Sequence, residues 1–206
     1  MRIRSKYKIA RRLGPEIFDK TSTAKYALRM EQKSRGKKGG RRPRSRTDYG
    51  LQLLEKQKAR YTYGISERQF SKYVQSVLDK KHINNQDEIL FERLENRLDN
   101  VVYRLGLAAS RLMARQMVSH GHFMVNDRRT NVPSREVSAG DKISIRSSSL
   151  DKPLFAGIDE RISSASIPAW LTFDLPKKEA KVVGSPKFVQ AEVPIDIGVI
   201  LEFYKR

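Results

Sequence analysis

The sequence predicts an α+β fold. The N-terminal half is mainly helical, a small module of two helices and a β-hairpin is inserted after it, and the C-terminal region is short and irregular or β. Three observations carry this reading. Apolar residues recur at helical spacing from Asp48 to about residue 120; the spacing changes to two from His122; and positive charge crowds into the first quarter of the chain.

The 206 residues include 42 Lys+Arg against 23 Asp+Glu, a formal net charge of +19, with a pI of about 10.3. Residues 1–48 hold 17 of the cations and only 4 carboxylates. No cysteine is present, which excludes a disulfide framework, a thiolate zinc site and a Cys nucleophile. No apolar run approaches the ~18 residues of a membrane span, and the basic start Met1-Arg2-Ile3-Arg4 lacks the apolar stretch of a secretory signal. These features predict an intracellular soluble protein with a polyanionic partner.

The order of elements follows from local patterns, and it divides the chain into 1–47, 48–92, 93–150 and 151–206. The first segment is a basic arm. Its stretch Lys33–Arg46 has eight cations, no carboxylate and no large apolar side chain. Ordering such a stretch costs roughly 1–2 kcal/mol per residue, so it is expected to settle only against a phosphate backbone. The arm's large apolar side chains are few, chiefly Ile9, Leu13, Ile17, Phe18, Tyr26, Leu28 and Met30. The free protein is therefore expected to be ordered from about Asp48 onward, with a largely mobile arm.

In the second segment Asp48 stands as N-cap of a helix that turns Leu51 and Leu54 inward and ends by Gly64. Ser66-Glu-Arg-Gln69 has the form of a capping box, and behind it Phe70, Tyr73, Val74, Val77 and Leu78 make an amphipathic stripe. A third helix starts near Gln86 and carries Phe91, Leu94, Leu98, Val101, Val102 and Leu105 along one side until Gly106. Opposite that stripe fall Arg93, Arg97 and Arg104. A fourth helix runs from its N-cap Ser110 to Gly121. Its Arg111 and Arg115 are an i, i+4 pair of like charges, which costs about 0.2–0.5 kcal/mol unless an anion lies between them.

From His122 the pattern is β. His122–Val125 is a strand, Asn126-Asp127 a tight turn and Arg128–Val132 the return; Lys142–Arg146 alternates cleanly after Ala139-Gly-Asp141. The basic helix face is expected to be the RNA face. Residues 151–206 are expected to pack back on the helical domain.

Several of these blocks are similar to a known family. Arg97-Leu-Asp-Asn-Val-Val-Tyr-Arg-Leu-Gly106, Ala114-Arg-Gln-Met-Val-Ser-His120, Val125-Asn126 and Ala139-Gly-Asp141 resemble the small RNA-binding module named after ribosomal protein S-four. Arg42-Pro-Arg, Asp48-Tyr-Gly-Leu-Gln-Leu-Leu-Glu-Lys-Gln-Lys58, Tyr63-Gly-Ile-Ser-Glu-Arg-Gln-Phe70 and Ile200-Leu-Glu-Phe-Tyr-Lys205 resemble the bacterial-type S-four family itself. The likeness is close over residues 41–146, looser in 1–40 and faint between Asp151 and Gln190, apart from Pro168-Ala-Trp-Leu171.

The resemblance implies a structural protein that binds small-subunit rRNA early, at a multi-helix junction. It further implies contacts with ribosomal protein S-five and a place near the mRNA entry. Many members carry a Cys-based zinc knuckle near the N-terminus; without cysteine this chain is expected to use no metal and no cofactor.

The expected rRNA-binding set begins with Lys6, Lys8, Arg11 and Arg12, and continues with Arg35, Lys37, Lys38, Arg41, Arg42, Arg44 and Arg46. Tyr49, Lys56, Lys58 and Arg60 follow on the first long helix, and Arg97, Arg104, Arg111, Arg115, Gln116, Ser119, His120, Asn126 and Arg128 in the module. Arginines on folded helices have fixed spacing and can read RNA shape, whereas the loose run supplies charge. Tyr49, Tyr61 and Tyr63 sit among cations and are candidates for base stacking; for Tyr61 and Tyr63 helix packing is as good a reading.

Two enzymatic signals are weak. His120-Gly-His122 lacks a third ligand for a metal, and His120 at a helix C-terminus more simply complements the dipole or meets a phosphate. Arg97-Leu-Asp99 is similar to the catalytic tripeptide of pseudouridine synthases, but it lies within an amphipathic helix with no separate catalytic domain. Asp99 there reads as a helix-surface carboxylate orienting an arginine. An RNA-modifying enzyme and a regulatory RNA chaperone are the alternative classes, separable by turnover on rRNA and by co-sedimentation with ribosomal particles in high salt.

Overall fold

The computed structural model describes residues 3, 5–21, 23–35, 47–80, 84–189 and 194–206. Contacts divide the chain into two units, residues 1–87 with 189–206, and residues 88–188.

The first unit opens with helices α1 (Lys6–Leu13) and α2 (Ala24–Arg35), joined by two short 3₁₀ turns at Pro15–Ile17 and Asp19–Thr21. The arm's few apolar residues suffice for a small cluster. Ala10, Leu13, Ile17, Phe18 and Tyr26 are buried together, with Ile3, Ile9, Met30, Leu54 and Tyr61 packed against them. The expectation of a largely mobile arm is corrected over the described residues 5–21 and 23–35, which form helices around this cluster. Its apolar side chains lie close enough in sequence to meet across one helical hairpin, and residues of the following helix close it. The basic run 36–46 lies outside the described residues.

Helix α3 (Asp48–Thr62) is capped by Thr47, whose Oγ1 accepts the Gly50 N–H at 3.3 Å, so Asp48 is its first residue rather than its cap. Its buried residues are Gln52, Lys56 and Ala59, whereas Leu51 is exposed. Helix α4 (Glu67–Leu78) starts as its capping box predicts: Ser66 Oγ accepts the Gln69 N–H, and Phe70, Val74 and Val77 are buried.

Helix α5 (Gln86–Glu95) and helix α6 (Leu98–Arg104) replace the single long helix expected between Gln86 and Gly106. No Gly or Pro marks the break. Arg97 turns extended, at φ −68° and ψ 134°, and bridges to Glu136. The Leu98 and Asp99 N–H groups then donate to the carbonyls of Arg135 and Pro133. A distant loop thus caps α6, a long-range contact that no local pattern announces.

Helix α7 (Arg111–Ser119), capped by Ser110, packs on α6. Gly106 connects them at φ +75°, where a Cβ would stand 2.6 Å from the Ala165 Cβ. Both the left-handed backbone and the close approach require glycine.

Strands β1 (Phe123–Val125), β2 (Arg128–Thr130) and β3 (Lys142–Ile145) form the expected hairpin and its neighbour. Asn126 and Asp127 both adopt positive φ, 51° and 61°, as a two-residue hairpin turn demands. After α8 (Ser147–Leu150) and α9 (Ile158–Ser164) come strands β4 (Leu171–Asp174) and β5 (Glu179–Val182). They extend the antiparallel sheet to the order β2-β1-β3-β5-β4. Ile143 pairs with Ala180, and Ala180 with Phe173.

Residues 151–188 therefore belong with the sheet, not with the helical unit as expected. Their apolar residues Phe155, Ile158, Ile162, Leu171, Ala180 and Val182 join the core of Leu98, Val102, Val118, Phe123 and Ile145.

The chain then rejoins the first unit through α10 (Ile197–Lys205), which packs on α3 and α4. Asp196 accepts the Val199 N–H as N-cap, and its own N–H donates to Glu55 Oε2.

Candidate nucleic-acid interface

Four arginines and two buried carboxylates meet where α5, α6 and α7 converge. Arg97 is wholly buried and forks onto Asp99, with Nε donating to Oδ1 at 3.0 Å and Nη2 to Oδ2 at 2.6 Å. Arg115 Nη1 reaches the same Asp99 Oδ2 at 3.4 Å. Arg104 forks onto Glu95 at 2.8 and 2.9 Å. Asn100 joins Arg111 to the Glu95 side: its Nδ2 donates to Glu95 Oε2 at 2.9 Å, and its Oδ1 accepts Arg111 Nε at 2.8 Å.

Burial opposes ionisation of Glu95, yet Arg104, Arg111 and the Asn100 hydrogen bond outweigh it and hold the carboxyl below its ordinary range. The like charges of Arg111 and Arg115 thus find their counter-anions inside the protein, and no external anion is needed to make the pair tolerable. Four guanidinium groups over two carboxylates still leave positive charge in excess. It emerges through side chains that keep a foot in solvent, Arg104 at 33% and Arg115 at 27% exposure. Arg111 is half-buried, with its guanidinium over the Tyr103 ring at 4.4 Å.

This arrangement corrects two expectations. Arg97 lies inside the unit and serves as an internal tie, standing at the helix break and forking onto Asp99. Asp99 is buried rather than on a helix surface, although it does orient arginines, two of them.

Of the other expected module residues, Gln116, Ser119, His120 and Arg128 are exposed. Ser119 Oγ donates to the Arg115 carbonyl. Asn126 is committed to structure: its Nδ2 donates to Asp141 Oδ1 at 2.7 Å, and its Oδ1 accepts the Lys142 N–H at 2.9 Å. His122 is buried with Nδ1 3.0 Å from Ser149 Oγ. Burial first, then the charges of Lys152, His120, Arg146 and Arg129, push its pKa below the ordinary histidine value. Among the described residues no three His, Cys, Asp or Glu side chains gather as metal ligands.

In the first unit Lys8, Arg11, Arg12 and Tyr49 are exposed, while Lys6 is half-buried beside the Phe18 ring. Lys56 and Arg60 turn inward. Both bind Glu67, at 2.9 and 3.0 Å, and the Tyr204 hydroxyl donates to the same carboxylate at 2.8 Å. Burial raises the Glu67 pKa, but Lys56, Tyr204 and Arg60 together bring it below the ordinary value. Lys58 lies 3.8 Å from Glu55. Tyr63 is buried, and Tyr61 packs against the N-terminal cluster, so helix packing is the better account of both. The Arg35 side chain and Lys37, Lys38, Arg41, Arg42, Arg44 and Arg46 fall outside the described residues.

A further exposed cation of the hairpin, Arg129, lies outside the expected set. Its side chain fills the space beside Gly121, where a Cβ would come within 2.6 Å of the Arg129 Nε. Alternation along β2 was the available signal for it.

Comparison with known proteins gives two family matches. Residues 2–95 match the family described as Ribosomal protein S4/S9 N-terminal domain, and residues 96–143 match the S4 domain. The chain is 42% identical over 204 residues to small ribosomal subunit protein uS4 of Aquifex aeolicus, covering 97% of this chain and 95% of that protein. It is 41% identical over 202 residues to its counterpart in Natranaerobius thermophilus, covering 97% and 96%. The chain belongs to the uS4 family of small ribosomal subunit proteins, structural and non-enzymatic components of the ribosome.

Proposed function

We propose that this protein is a primary binder of small-subunit rRNA in the cytoplasmic ribosome. It helps nucleate assembly of the subunit body, contacts ribosomal protein S-five and lies near the mRNA entry, where it bears on translational accuracy. The observation that carries the rRNA reading is the arginine cluster of α6 and α7. Its guanidinium groups are held by the buried Asp99, Glu95 and Asn100, so they present fixed rather than wandering charge. Rigid cations at set distances suit a junction whose phosphates converge from several helices, because the deep groove of A-form RNA is closed to side chains. The exposed Lys8, Arg11, Arg12 and Arg128 and the basic run 36–46 add affinity through counterion release.

Crosslinking the protein to small-subunit rRNA and sequencing the bound RNA tests this. Crosslinks gathered at one junction support it; crosslinks scattered along duplex RNA would contradict it. The assembly role predicts that particles reconstituted without the protein lack later-joining body proteins, and normal assembly without it would contradict that role. Crosslinking of intact subunits to a short mRNA tests the entry position.

A further inference from the structure

We propose that the face of the sheet opposite the α6–α7 core, at its β2-β1-β3 end, is a second RNA-backbone surface built of His120, Arg129, Arg146 and Lys152. It holds a stretch of sugar–phosphate other than the one at the arginines of α6 and α7. The inference rests on the rRNA-binding reading and deepens it, because the module is then gripped by RNA from two sides.

Strand alternation separates the two sides. Phe123, Val125, Ile143 and Ile145 lie in one core with Val102 of α6 and Val118 of α7. Met124 pairs with Arg129 on β2 and with Ser144 on β3, so these three point to the other face. His122 and Arg146 continue that face, and the Arg146 N–H donates to the His122 carbonyl at 2.9 Å. Arg129, His120 and Lys152 are exposed, and Arg146 is half-buried. The Arg129 guanidinium lies against the backbone of Gly121, where a Cβ would come within 2.8 Å of its Nη2. The His120 ring stands 6.0 Å from that of the buried His122. Lys152, His120, Arg146 and Arg129 all bear on His122 and, after burial, disfavour its charged form.

These cations differ from those of α6 and α7 in having no counter-charge. The side chains of Arg129, Arg146 and Lys152 make no hydrogen bond or ion pair among the described residues, and Asp151 beside Lys152 makes none with it. Like charges that converge in this way repel unless an anion lies among them. The same face turns acidic further along: Ser144 pairs with Glu179, and Glu179 with Asp174. Those carboxylates repel phosphate and confine the RNA to the β2-β1-β3 end. A protein partner would look for an apolar centre depleted of charge. Here Phe123, Ile145 and Phe155 are buried and charged tips reach solvent, which suits a phosphate backbone.

The test uses the full-length protein and small-subunit rRNA. The double variant Arg146→Ala/Lys152→Ala should lower the salt slope of binding by about two, with its thermal unfolding unchanged. Because the chain has no cysteine, a hydroxyl-radical source can be tethered at one site at a time, through Ser148→Cys beside the patch or Gln116→Cys on α7. The two positions should cut different rRNA segments. Cuts in one common segment, or no cuts from Ser148→Cys together with an unchanged salt slope in the double variant, overturn the proposal. So does a double variant that binds rRNA normally but fails to recruit another small-subunit protein to reconstituted particles, since the patch would then serve a protein. If Arg115→Ala still weakens binding in any of these cases, the rRNA reading stands without the second surface. If the wild-type protein fails to bind rRNA, both fall.

Discussion

The arginine cluster of the sheet-containing unit and helix α1 of the first unit carry their cations differently. In the sheet-containing unit, Arg97, Arg104, Arg111 and Arg115 are fastened to Asp99, Glu95 and Asn100, which are themselves buried. On α1, Lys8, Arg11 and Arg12 stand exposed on a short helix over a five-residue buried cluster. Both regions are basic, but only the first has charge whose position is set by the core beneath it. The difference separates two jobs that net charge alone cannot distinguish. Fixed charge can discriminate among RNA shapes, and loose charge raises affinity for any RNA.

Breaking the internal tie should have the largest effect. Arg97→Ala leaves Asp99 buried with one of its two arginines gone, and is expected to cost about 3–5 kcal/mol. Arg12→Ala should stay within about 0.5 kcal/mol. Urea unfolding of the two variants measures the contrast, and similar midpoints would erase the distinction. Next comes the N-terminal cluster. Leu13→Ala should cost about 2–3 kcal/mol, at the low end of buried Leu truncations because the cluster is small. Amide exchange should show the loss across residues 6–30 and leave residues 98–145 protected.

A smaller effect is written in pH. The Glu95 pKa is depressed in the folded protein, so its contribution is present above the ordinary carboxylate value of 4.5. It is lost as pH falls below that value through the folded one. Glu95→Gln should flatten the acid side of the melting-temperature profile in that window. An unchanged profile would mean that Glu95 is not held ionised by its arginines. The smallest effect concerns salt. Lys8→Ala should reduce the salt slope of rRNA binding by about one, with little change in stability.

What the sequence made legible follows the range of the interactions. Ser66 and Ser110 cap helices as their local patterns predict, and the period-two stretch after His122 marks the hairpin, because caps and hairpins close within a few residues. The split at Arg97 depends on carbonyls near residue 135, and the sheet extension depends on strands some thirty residues beyond β3. Neither has a local signature. The interface was legible in residue type and less so in role. Arg104, Arg111 and Arg115 stand out by their charge, but nothing in their spacing shows that Glu95 and Asp99 lie beneath them. Lys56, Arg60 and Arg97 look like any other cations in the sequence, and only folding reveals them as internal partners of Glu67 and Asp99.

The comparison is tested most directly by measuring affinities for a junction-containing rRNA fragment and for a plain duplex, with Arg115→Ala and Lys8→Ala side by side. If position-fixed arginines read shape, Arg115→Ala should lose about ten-fold or more on the junction and far less on the duplex. Lys8→Ala should lose about equally on both. Equal junction-to-duplex ratios for the two variants would contradict the account.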